Sequence, residues 1–241
     1  MPPRFHVNDR LHSGIKIALP AGAARHVQVL RLQPGALITL FNGEGGQWDA
    51  RVTSIARSEV QVEVGEHLAV DRELPLAVTL AIGMPANERM DAFVEKATEL
   101  GAASIQPLLT ERSVLRLAGE RAQRRREHWQ AIAIAACEQC GRTRVPQVEP
   151  VQLLSAWLSE RESAARTRWL LSPADDALPL AEQPVPQGEV QMLSGPEGGL
   201  SSTEADAARA AGFVAVGLGP RILRADTAPL AALAYISLRA R

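Results

Sequence analysis

The hydrophobic pattern of the chain changes near residue 72, and this change limits the possible folds more than any other feature. Before it, segments such as Val60–Val64 alternate apolar and polar side chains, which is typical of half-buried strands joined by tight turns. After it, apolar strands alternate with amphipathic helices, which predicts a parallel sheet covered on both faces. Because 241 residues allow one or two domains, we predict a small β-barrel over residues 1–72 and an α/β domain over 73–241.

The predicted elements follow from hydrophobic periodicity and from capping residues. Expected strands are Leu37–Phe41, Trp48–Val52, Val60–Val64, Leu76–Gly83, Ser104–Leu108, Thr167–Ser172, Glu189–Ser194 and Phe213–Leu218. Expected helices are Ala23–Leu32, one capped by Asn87 and stopped by Gly101, Glu120–Cys140, one opened by a capping box of Ser201 and Glu204 and ending at Gly212, and Asp226–Arg239. The segment Leu178–Gly188, with three prolines, is predicted to be an exposed loop.

The net charge of −1 conceals a segregation of charge along the chain. Residues 1–57 hold seven Lys or Arg against three acids, and residues 112–126 hold six arginines against Glu120, whereas residues 145–220 hold ten acids against four arginines. Basic surfaces of this kind are typical of proteins that contact phosphates, although the cluster at 112–126 is also compatible with a solvated helix face. The charge of the whole chain therefore does not exclude a nucleic-acid partner.

Several classes of site are disfavoured by missing motifs. The chain has no G-x-x-x-x-G-K-[ST] phosphate loop, no G-x-G-x-x-G after the first strand of the α/β region and no G-x-S-x-G elbow. The lone C-x-x-C pair, Cys137 and Cys140, falls near the end of a predicted helix, where packing is favoured over zinc binding or redox catalysis, so no metal is expected. No apolar run approaches the roughly 18 residues of a membrane helix, and the first residues lack the apolar core of a signal peptide. We therefore predict a cytoplasmic protein without a membrane partner.

Two glycine-rich connections are the strongest functional signals. Gly195–Gly199 (GPEGG) follows a predicted strand and precedes a capped helix, and Gly217–Ala228 does the same with two arginines in the loop. In parallel α/β sheets, ligands bind at the carboxyl ends of strands, and glycines allow the backbone to approach them closely. Because neither loop contains a good nucleophile, the pair indicates binding and positioning rather than covalent catalysis.

At these residues the sequence resembles the RsmE family of ribosomal RNA uridine-N3 methyltransferases, which belongs to the SPOUT superfamily. The resemblance rests on GPEGG and on Leu218–Arg224 (LGPRILR), and it extends along the chain. Further matching blocks are Arg4-Phe5, His26 with Val29–Arg31, Glu95–Gly101, Glu111–Ser113 and Glu138–Arg142. Asp226 departs from the pattern, where the family typically has glutamate. The resemblance implies an N-terminal PUA-like barrel, a C-terminal SPOUT α/β domain with a trefoil knot over approximately residues 167–235, and a homodimer.

The resemblance also implies S-adenosylmethionine as cofactor and methylation of N3 of a uridine in the decoding region, in the 3′ part of 16S rRNA, within the small ribosomal subunit. Candidate catalytic residues are Arg221, Arg224, Glu197 and Asp226. Candidate cofactor-binding residues are Leu171, Ser172, Leu193, Ser194, Gly195, Pro196, Glu197, Gly198, Gly199, Leu218, Gly219, Ile222, Leu223 and Arg224. Candidate RNA-binding residues are Arg4, Arg10, Arg25, His26, Arg31, Arg112, Arg124, Arg125, Arg126 and Arg142.

Two alternatives remain open at this point. A sister SPOUT enzyme would share the cofactor loops but methylate a ribose 2′-hydroxyl or another base. A ribosome assembly factor without catalysis would keep only the RNA-binding surfaces, and binding of S-adenosylmethionine distinguishes it from both enzymes.

Overall fold

Two structural units, each with its own sheet, make up the chain in the computed structural model, which describes residues 2–57, 59–159 and 167–240. The first unit comprises Met1–Glu73 together with Ile134–Val145, and the second comprises Leu74–Ala133 together with Pro146–Arg241. Each unit is built around a different type of sheet, as the change in hydrophobic pattern predicts.

The first unit holds a five-stranded sheet and one helix. Its strands are β1 (Arg4–His6), β2 (Lys16–Ala18), β3 (Leu37–Phe41), β4 (Gln47–Ile55) and β5 (Val60–Leu68), and its helix is α1 (Ala21–Val29). The strand order is β1-β3-β4-β5-β2; β1 pairs with β3 in parallel, and the other pairs are antiparallel. Alternate residues of β5, from Val60 to Val64, are buried in the core against Val27 of α1. Alternation in the sequence therefore predicts the buried face of this sheet correctly.

The second unit is a parallel sheet with helices. Its strands are β6 (Ala77–Gly83), β7 (Ser104–Leu109), β8 (Gln147–Val148), β9 (Gln152–Leu153), β10 (Thr167–Leu171), β11 (Leu178–Pro179), β12 (Glu189–Ser194) and β13 (Val214–Gly217). Its helices are α2 (Asn87–Glu99), α3 (Gly119–Cys140), α4 (Leu154–Ser159), α5 (Ser202–Ala210) and α6 (Thr227–Arg239); the last residues of α3, from Ile134, are assigned to the first unit. The strand order is β11-β13-β10-β12-β6-β7-β8, β9 also pairs with β7, and every pairing is parallel.

Both faces of the central strands are covered. Consecutive residues are buried in β6, β7 and β12, and a strand buried at every position needs packing on both sides of the sheet. One side-chain cluster joins Leu193 of β12 to Ala208 of α5 and Trp157 of α4, while α2 contacts α6. The predicted architecture of a PUA-like domain followed by a parallel α/β domain is confirmed, while the knot over residues 167–235 stays a prediction.

Some predicted elements need correction. Asn87 is the first residue of α2, and the N-cap position belongs to Ala86. The segment 178–188 is not simply an exposed loop, since it pairs with β13 through β11, continues as a short 3-10 helix (Leu180–Glu182) and buries Leu180. The strands β1, β2, β8 and β9 and helix α4 are absent from the prediction, because two- and three-residue strands carry almost no periodic signal.

The capping box at α5 is confirmed. The Ser201 hydroxyl accepts a hydrogen bond from the Glu204 amide, and the Glu204 carboxylate accepts one from the Ser201 amide. This arrangement fixes where the chain turns from the GPEGG segment into the helix. Of the helices in the described ranges, none is both long enough and apolar enough to cross a membrane.

Candidate functional site

The two glycine-rich loops lie at the carboxyl edge of the parallel sheet. The first loop, residues 195–200, leaves β12 after Ser194, and the second loop, residues 218–226, leaves β13 after Gly217. The two strands are not adjacent, because β10 lies between them in the sheet. The loops therefore flank the end of β10, and together with it they surround a cavity of about 600 Å³.

The predicted cofactor-binding residues are brought together at this cavity with one exception. Those that line it are Leu171, Ser172, Ser194, Gly195, Pro196, Glu197, Gly198, Gly199, Leu218, Gly219, Ile222, Leu223 and Arg224. Leu193 does not line it and is a correction: the side chain is fully buried in the core cluster with Ala81 and Ala208. Side chains alternate along a strand, so Leu193 and Ser194 face opposite sides of β12.

The first loop is closely packed against the neighbouring strand. A Cβ atom added at Gly83, the last residue of β6, would lie 2.5 Å from Pro196 Cδ and 2.7 Å from Pro196 N. A Cβ atom at Gly195 would lie 2.8 Å from the Leu200 amide nitrogen, and Gly199 adopts a φ of +68° that favours glycine. The Gly199 amide closes a turn by donating to the Pro196 carbonyl at 2.8 Å. Glycine is therefore required here by close approach and by backbone conformation.

Glu197, a candidate catalytic residue, is engaged with α2. Its Oε1 accepts hydrogen bonds from the Ala86 amide at 3.2 Å and from Arg89 Nη1 at 3.1 Å. The carboxylate thus satisfies a backbone amide at the N-terminus of α2, where a negative charge is favourable. This contact gives Glu197 a structural task that differs from that of a base.

Arg221 and Arg224 both line the cavity, and both are exposed. Among residues 2–57, 59–159 and 167–240, neither side chain has a hydrogen-bond or ion-pair partner. The Ser194 hydroxyl donates to the Ala225 carbonyl at 3.4 Å, which ties the end of β12 to the second loop. Two cationic groups are thus held near the cavity with their donors available to a ligand.

Asp226 precedes α6 at its N-cap position, but its side chain makes no capping hydrogen bond. Its Oδ1 atom is enclosed and has no hydrogen-bond partner within the described part of the chain. Asp226 itself is not one of the residues that line the cavity, although its neighbours Arg224 and Ala225 are. A buried carboxylate oxygen without a donor is unfavourable and therefore marks this position as unusual.

Arg112 belongs to this site, although the charge pattern assigns it to the RNA surface. Its Nη1 donates to the Gly198 carbonyl at 2.8 Å and to the Leu200 carbonyl at 3.3 Å, and the residue lines the cavity. One signal in the sequence could have identified it, because Arg112 closely follows the predicted end of β7, at the sheet edge where ligands bind. The remaining lining residues that the sequence analysis missed are Leu170, Pro173, Leu200, Ala205, Ala225 and Ala228.

The candidate RNA-binding residues fall into three groups by exposure: exposed, half-buried and buried. Exposed residues are Arg10, Arg25, His26, Arg31, Arg112 and Arg124. Arg125 and Arg126 are half-buried, and Arg126 Nε donates to the Val148 carbonyl at 2.8 Å. Arg124 forms an exposed ion pair with Glu120 at 3.4 Å. The exposed group remains a prediction for RNA contact.

Arg4 and Arg142 are corrections to that set, because their side chains are buried. Their exposed fractions are 7% and 4%. Arg4 donates to the Gln47 side chain and, at 3.0 Å, to the Arg142 carbonyl, while Arg142 is ion-paired with Glu73. Burial is the main cause that lowers the pKa of Arg4. Both arginines cross-link segments within the first unit, which leaves little of either guanidinium for RNA.

The cysteine pair lies in the last turn of α3 within the first unit. Cys137 is buried, and its pKa is raised by the neighbouring Cys140 thiol and by burial. A raised pKa makes the reactive thiolate scarce, which agrees with a packing role. No group of three or more His, Cys, Asp or Glu side chains suited to a metal ion occurs in the ranges that the structure describes.

Comparison with known proteins assigns both units. Residues 72–237 match the family model of an RNA methyltransferase domain, and residues 19–65 match an RNA methyltransferase PUA domain. The fold and the loop-lined cavity thus define an RNA methyltransferase with a PUA domain.

Individual relatives specify the family further. The chain is 37% identical to the ribosomal RNA small subunit methyltransferase E of Synechocystis, with 87% of this chain and 68% of that protein covered. The crystal structure of the Neisseria gonorrhoeae protein of the same name, bound to S-adenosylmethionine, is 39% identical with a TM-score of 0.94 over 99% of this chain and 98% of that one. A Legionella pneumophila structure, described as a putative methyltransferase with bound cofactor SAM, is 33% identical with the same TM-score and coverage. The chain belongs to the ribosomal RNA small subunit methyltransferase E (RsmE) family.

Proposed function

We propose that this protein binds S-adenosylmethionine in the cavity between the two loops and methylates N3 of a uridine in the 16S rRNA of the small ribosomal subunit. One observation supports this above the others: two arginines without partners in the described chain, Arg221 and Arg224, line a glycine-rich cavity at the carboxyl edge of the sheet. Family membership supports the reaction class, and the uridine N3 target is our inference from the resemblance.

The cavity suits the cofactor. Its volume of about 600 Å³ lies within the range of roughly 300–1,000 Å³ of small-molecule sites. Leucine side chains such as Leu171 and Leu218 offer apolar surface for a base, and the backbone of the first loop, beside Gly198, offers polar groups. When bound, S-adenosylmethionine supplies an electrophilic methyl group on its sulfonium.

The arginines are proposed to make the uracil nucleophilic. N3 of uracil carries a proton at neutral pH, and that proton must pass to solvent or to a base before the N3 lone pair can form the new N–C bond. The methyl–sulfur bond breaks as the N–C bond forms, and S-adenosylhomocysteine is the leaving group. The negative charge that results is shared by N3, O2 and O4. Guanidinium donors from Arg221 and Arg224, directed at O2 or O4 in the complex with substrate, stabilise this charge as it develops.

The two candidate carboxylates differ in what they can do. Glu197 already accepts hydrogen bonds from Arg89 and the Ala86 amide, whereas Asp226 has an enclosed oxygen without a donor in the described chain. Because Asp226 does not line the cavity, we favour it as the carboxylate that orients an arginine of the second loop in the complex. With Asp226→Asn, turnover is expected to fall while the affinity for S-adenosylmethionine stays within about twofold. Normal turnover in this variant would contradict the role.

A surface on the first unit is proposed to hold RNA. Arg31 is exposed and has a φ of +53°, and no other non-glycine residue in the described ranges has a positive φ. It follows the C-terminus of α1, where the Arg31 amide donates to Gln28 O and the Leu32 amide to Val27 O. Glycine is the usual residue at this position of a helix end, so arginine is retained there at a cost in stability. Arg31 lies close in sequence to the exposed Arg25 and His26, which supports a contact with phosphates.

Arg31→Gly separates stability from RNA binding. Relief of the left-handed conformation is expected to stabilise the protein by about 1 kcal/mol, while the affinity for RNA falls. Chemical denaturation and RNA binding at fixed salt measure the two effects. Unchanged RNA affinity in the more stable variant would remove Arg31 from the RNA surface.

A homodimer is also proposed. Exposed apolar side chains occur on β11, β13, the second loop and α6 of the second unit: Leu178 (49% exposed), Val214 (45%), Ile222 (87%) and Leu238 (71%). A contiguous patch of exposed apolar surface is typical of an interface, and we propose that these side chains contribute to one. Sedimentation is expected to give twice the chain mass of 25.9 kDa, and Ile222→Glu is expected to shift the equilibrium towards monomer. A monomer at micromolar concentration would refute this part of the proposal.

The decisive experiment uses small ribosomal subunits from a strain that lacks the corresponding enzyme. After incubation with the protein and S-adenosylmethionine, mass spectrometry of digested rRNA is expected to show one N3-methyluridine per subunit. A 2′-O-methylated nucleoside would instead identify a sister SPOUT activity. Absence of both methylation and cofactor binding would favour the assembly factor.

The arginine role is tested separately. Arg224→Ala is expected to lower turnover while leaving affinity for S-adenosylmethionine within about twofold, because the charge that it stabilises appears only during the reaction. Calorimetry and a methylation assay measure the two quantities. Equal losses in affinity and turnover would assign Arg224 to cofactor binding instead.

A further inference from the structure

The first loop, residues 195–200, is held from two sides by arginines that neither the family resemblance nor the charge pattern assigns to it. On one side, Arg112 Nη1 bridges the carbonyls of Gly198 and Leu200 at 2.8 and 3.3 Å. On the other side, Arg89 Nη1 lies 3.1 Å from Glu197 Oε1. All of these contacts fall within residues 197–200, so both arginines act on the same short stretch of the loop.

The Arg112 side chain also runs along the loop rather than merely touching it. A Cβ atom added at Gly198 would lie 3.2 Å from Arg112 Cβ and 3.4 Å from Arg112 Cδ. The aliphatic part of the side chain therefore packs directly against Gly198, while the guanidinium reaches the carbonyls beyond it. Arg112 comes from the connection that follows β7, and the Glu111 amide beside it donates to Glu204 Oε1 at 2.8 Å, inside the capping box of α5. The support for the loop is thus continuous from β7 to α5.

These contacts are poorly suited to stabilising the whole fold. The side chains of Arg89 and Glu197 remain 38% and 30% exposed, and exposed ion pairs contribute little to stability. The loop that they hold, in contrast, contains three glycines, which have more backbone freedom to lose than any other residue. A loop fixed before the ligand arrives avoids that loss on binding, and this raises affinity.

We propose that Arg112 and Arg89 are positioning residues that hold the Gly195–Leu200 loop in its cofactor-binding conformation before the cofactor binds. Arg112 acts through the loop carbonyls, and Arg89 acts through Glu197. The proposal rests on the proposed function, because it assumes that S-adenosylmethionine is the ligand of this loop. It also gives Glu197 a definite task, which is to connect the loop to the N-terminus of α2 rather than to remove a proton.

The test measures S-adenosylmethionine binding and loop mobility in the full-length protein. Arg112→Ala removes both carbonyl contacts and is expected to raise the dissociation constant about tenfold. Arg112→Lys keeps a charged donor and is expected to recover part of that loss. Arg209→Ala is the matched control. Arg209 also forms exposed ion pairs in the second unit, with Asp176 and Asp206, but it lies on α5 and does not contact the loop. The dissociation constant of this variant for S-adenosylmethionine is expected to be unchanged.

Two further measurements separate positioning from a general loss of structure. Hydrogen exchange in a peptide that covers the loop is expected to be faster in ligand-free Arg112→Ala than in the wild type, with exchange in β7 and β12 unchanged. In the methylation assay, KM for S-adenosylmethionine is expected to rise about tenfold while kcat at saturation stays within about twofold. Unaltered exchange together with unaltered affinity would overturn the proposal.

A double-mutant comparison tests the Arg89 side. If Arg89 acts through Glu197, then Arg89→Ala and Glu197→Gln each raise KM for the cofactor, and the combined variant is no worse than the more affected single one. If Glu197 is instead a base, Glu197→Gln lowers kcat and Arg89→Ala does not, which would overturn this arm. A wild-type protein that fails to bind S-adenosylmethionine would refute the proposed function, while the exchange measurement on the ligand-free loop would still decide whether the arginines hold it.

Discussion

Replacing Gly83 with alanine adds one methyl group at the point where β6 meets the cofactor loop. The new Cβ atom would lie 2.5 Å from Pro196 Cδ, 2.7 Å from Pro196 N and 3.1 Å from the carbonyl carbon of Gly195. Carbon atoms in favourable contact are about 3.5–4.0 Å apart, so the loop or the strand must move by about 1 Å. Gly83 is the last residue of the buried strand β6 and is paired with Leu108 of β7, which makes the loop the part that is freer to shift.

The expected cost follows from that displacement. An added methyl group in a closely packed region typically destabilises by about 1–3 kcal/mol. If the loop takes up the shift, this free energy appears in cofactor binding, and the dissociation constant for S-adenosylmethionine rises roughly 5- to 150-fold, since about 1.4 kcal/mol corresponds to a factor of ten. If the sheet takes it up, the midpoint of thermal unfolding falls by roughly 2–4 °C per kcal/mol.

Calorimetry with S-adenosylmethionine and thermal unfolding of the ligand-free protein measure the two effects on the same sample. Gly217→Ala provides a matched control, because Gly217 also ends a strand of this sheet, yet its added Cβ atom would be at least 3.6 Å from its neighbours, an ordinary contact distance. The control is expected to bind normally. The reasoning is refuted if Gly83→Ala and Gly217→Ala both match the wild type in affinity and unfolding midpoint.

Three further predictions concern stability and RNA binding. Ser201→Ala removes the capping box of α5 and is expected to destabilise the protein by about 1 kcal/mol in urea denaturation; an unchanged midpoint would contradict this. Burial lowers the pKa of His6 below its usual 6.5, so the folded protein binds fewer protons at this residue than the unfolded chain. Stability is therefore expected to fall as the pH drops through 6.5. His6→Gln should flatten that part of the profile of stability against pH, and an identical profile would argue against His6 as the cause. Replacing the exposed Arg121 and Arg124 with alanine is expected to lower the magnitude of the slope of log affinity for RNA against log salt by roughly 1.4 to 1.8. An unchanged slope would place this face of α3 outside the RNA footprint.

The extent to which the site could be predicted from the sequence depends on how local each signal is. β12 and the capping box of α5 have the predicted bounds and contacts, because period-2 burial and a serine–glutamate pair act over a few residues. The position of β10 between β12 and β13 has no such signal, since strand order depends on packing between segments that are far apart in the chain. The motifs therefore predict which loops form the cavity, whereas the end of the third strand, with Leu171 and Ser172, enters the prediction only through the family resemblance.

Charge is the sequence feature that most needs the structure for its interpretation. Arg4 and Arg142 are buried within the first unit, Arg112 holds the carbonyls of the first loop, and Arg124 forms an exposed ion pair with Glu120. All four residues are arginines, and their different roles depend on where each one lies relative to the strands. Arg4 begins β1, where its neighbours on the sheet enclose it, whereas Arg112 follows the carboxyl end of β7, where parallel strands present ligand-binding loops. Position relative to a strand end thus predicts membership of this site better than the local density of arginine does, and the same criterion selects Arg221 and Arg224, which follow the end of β13.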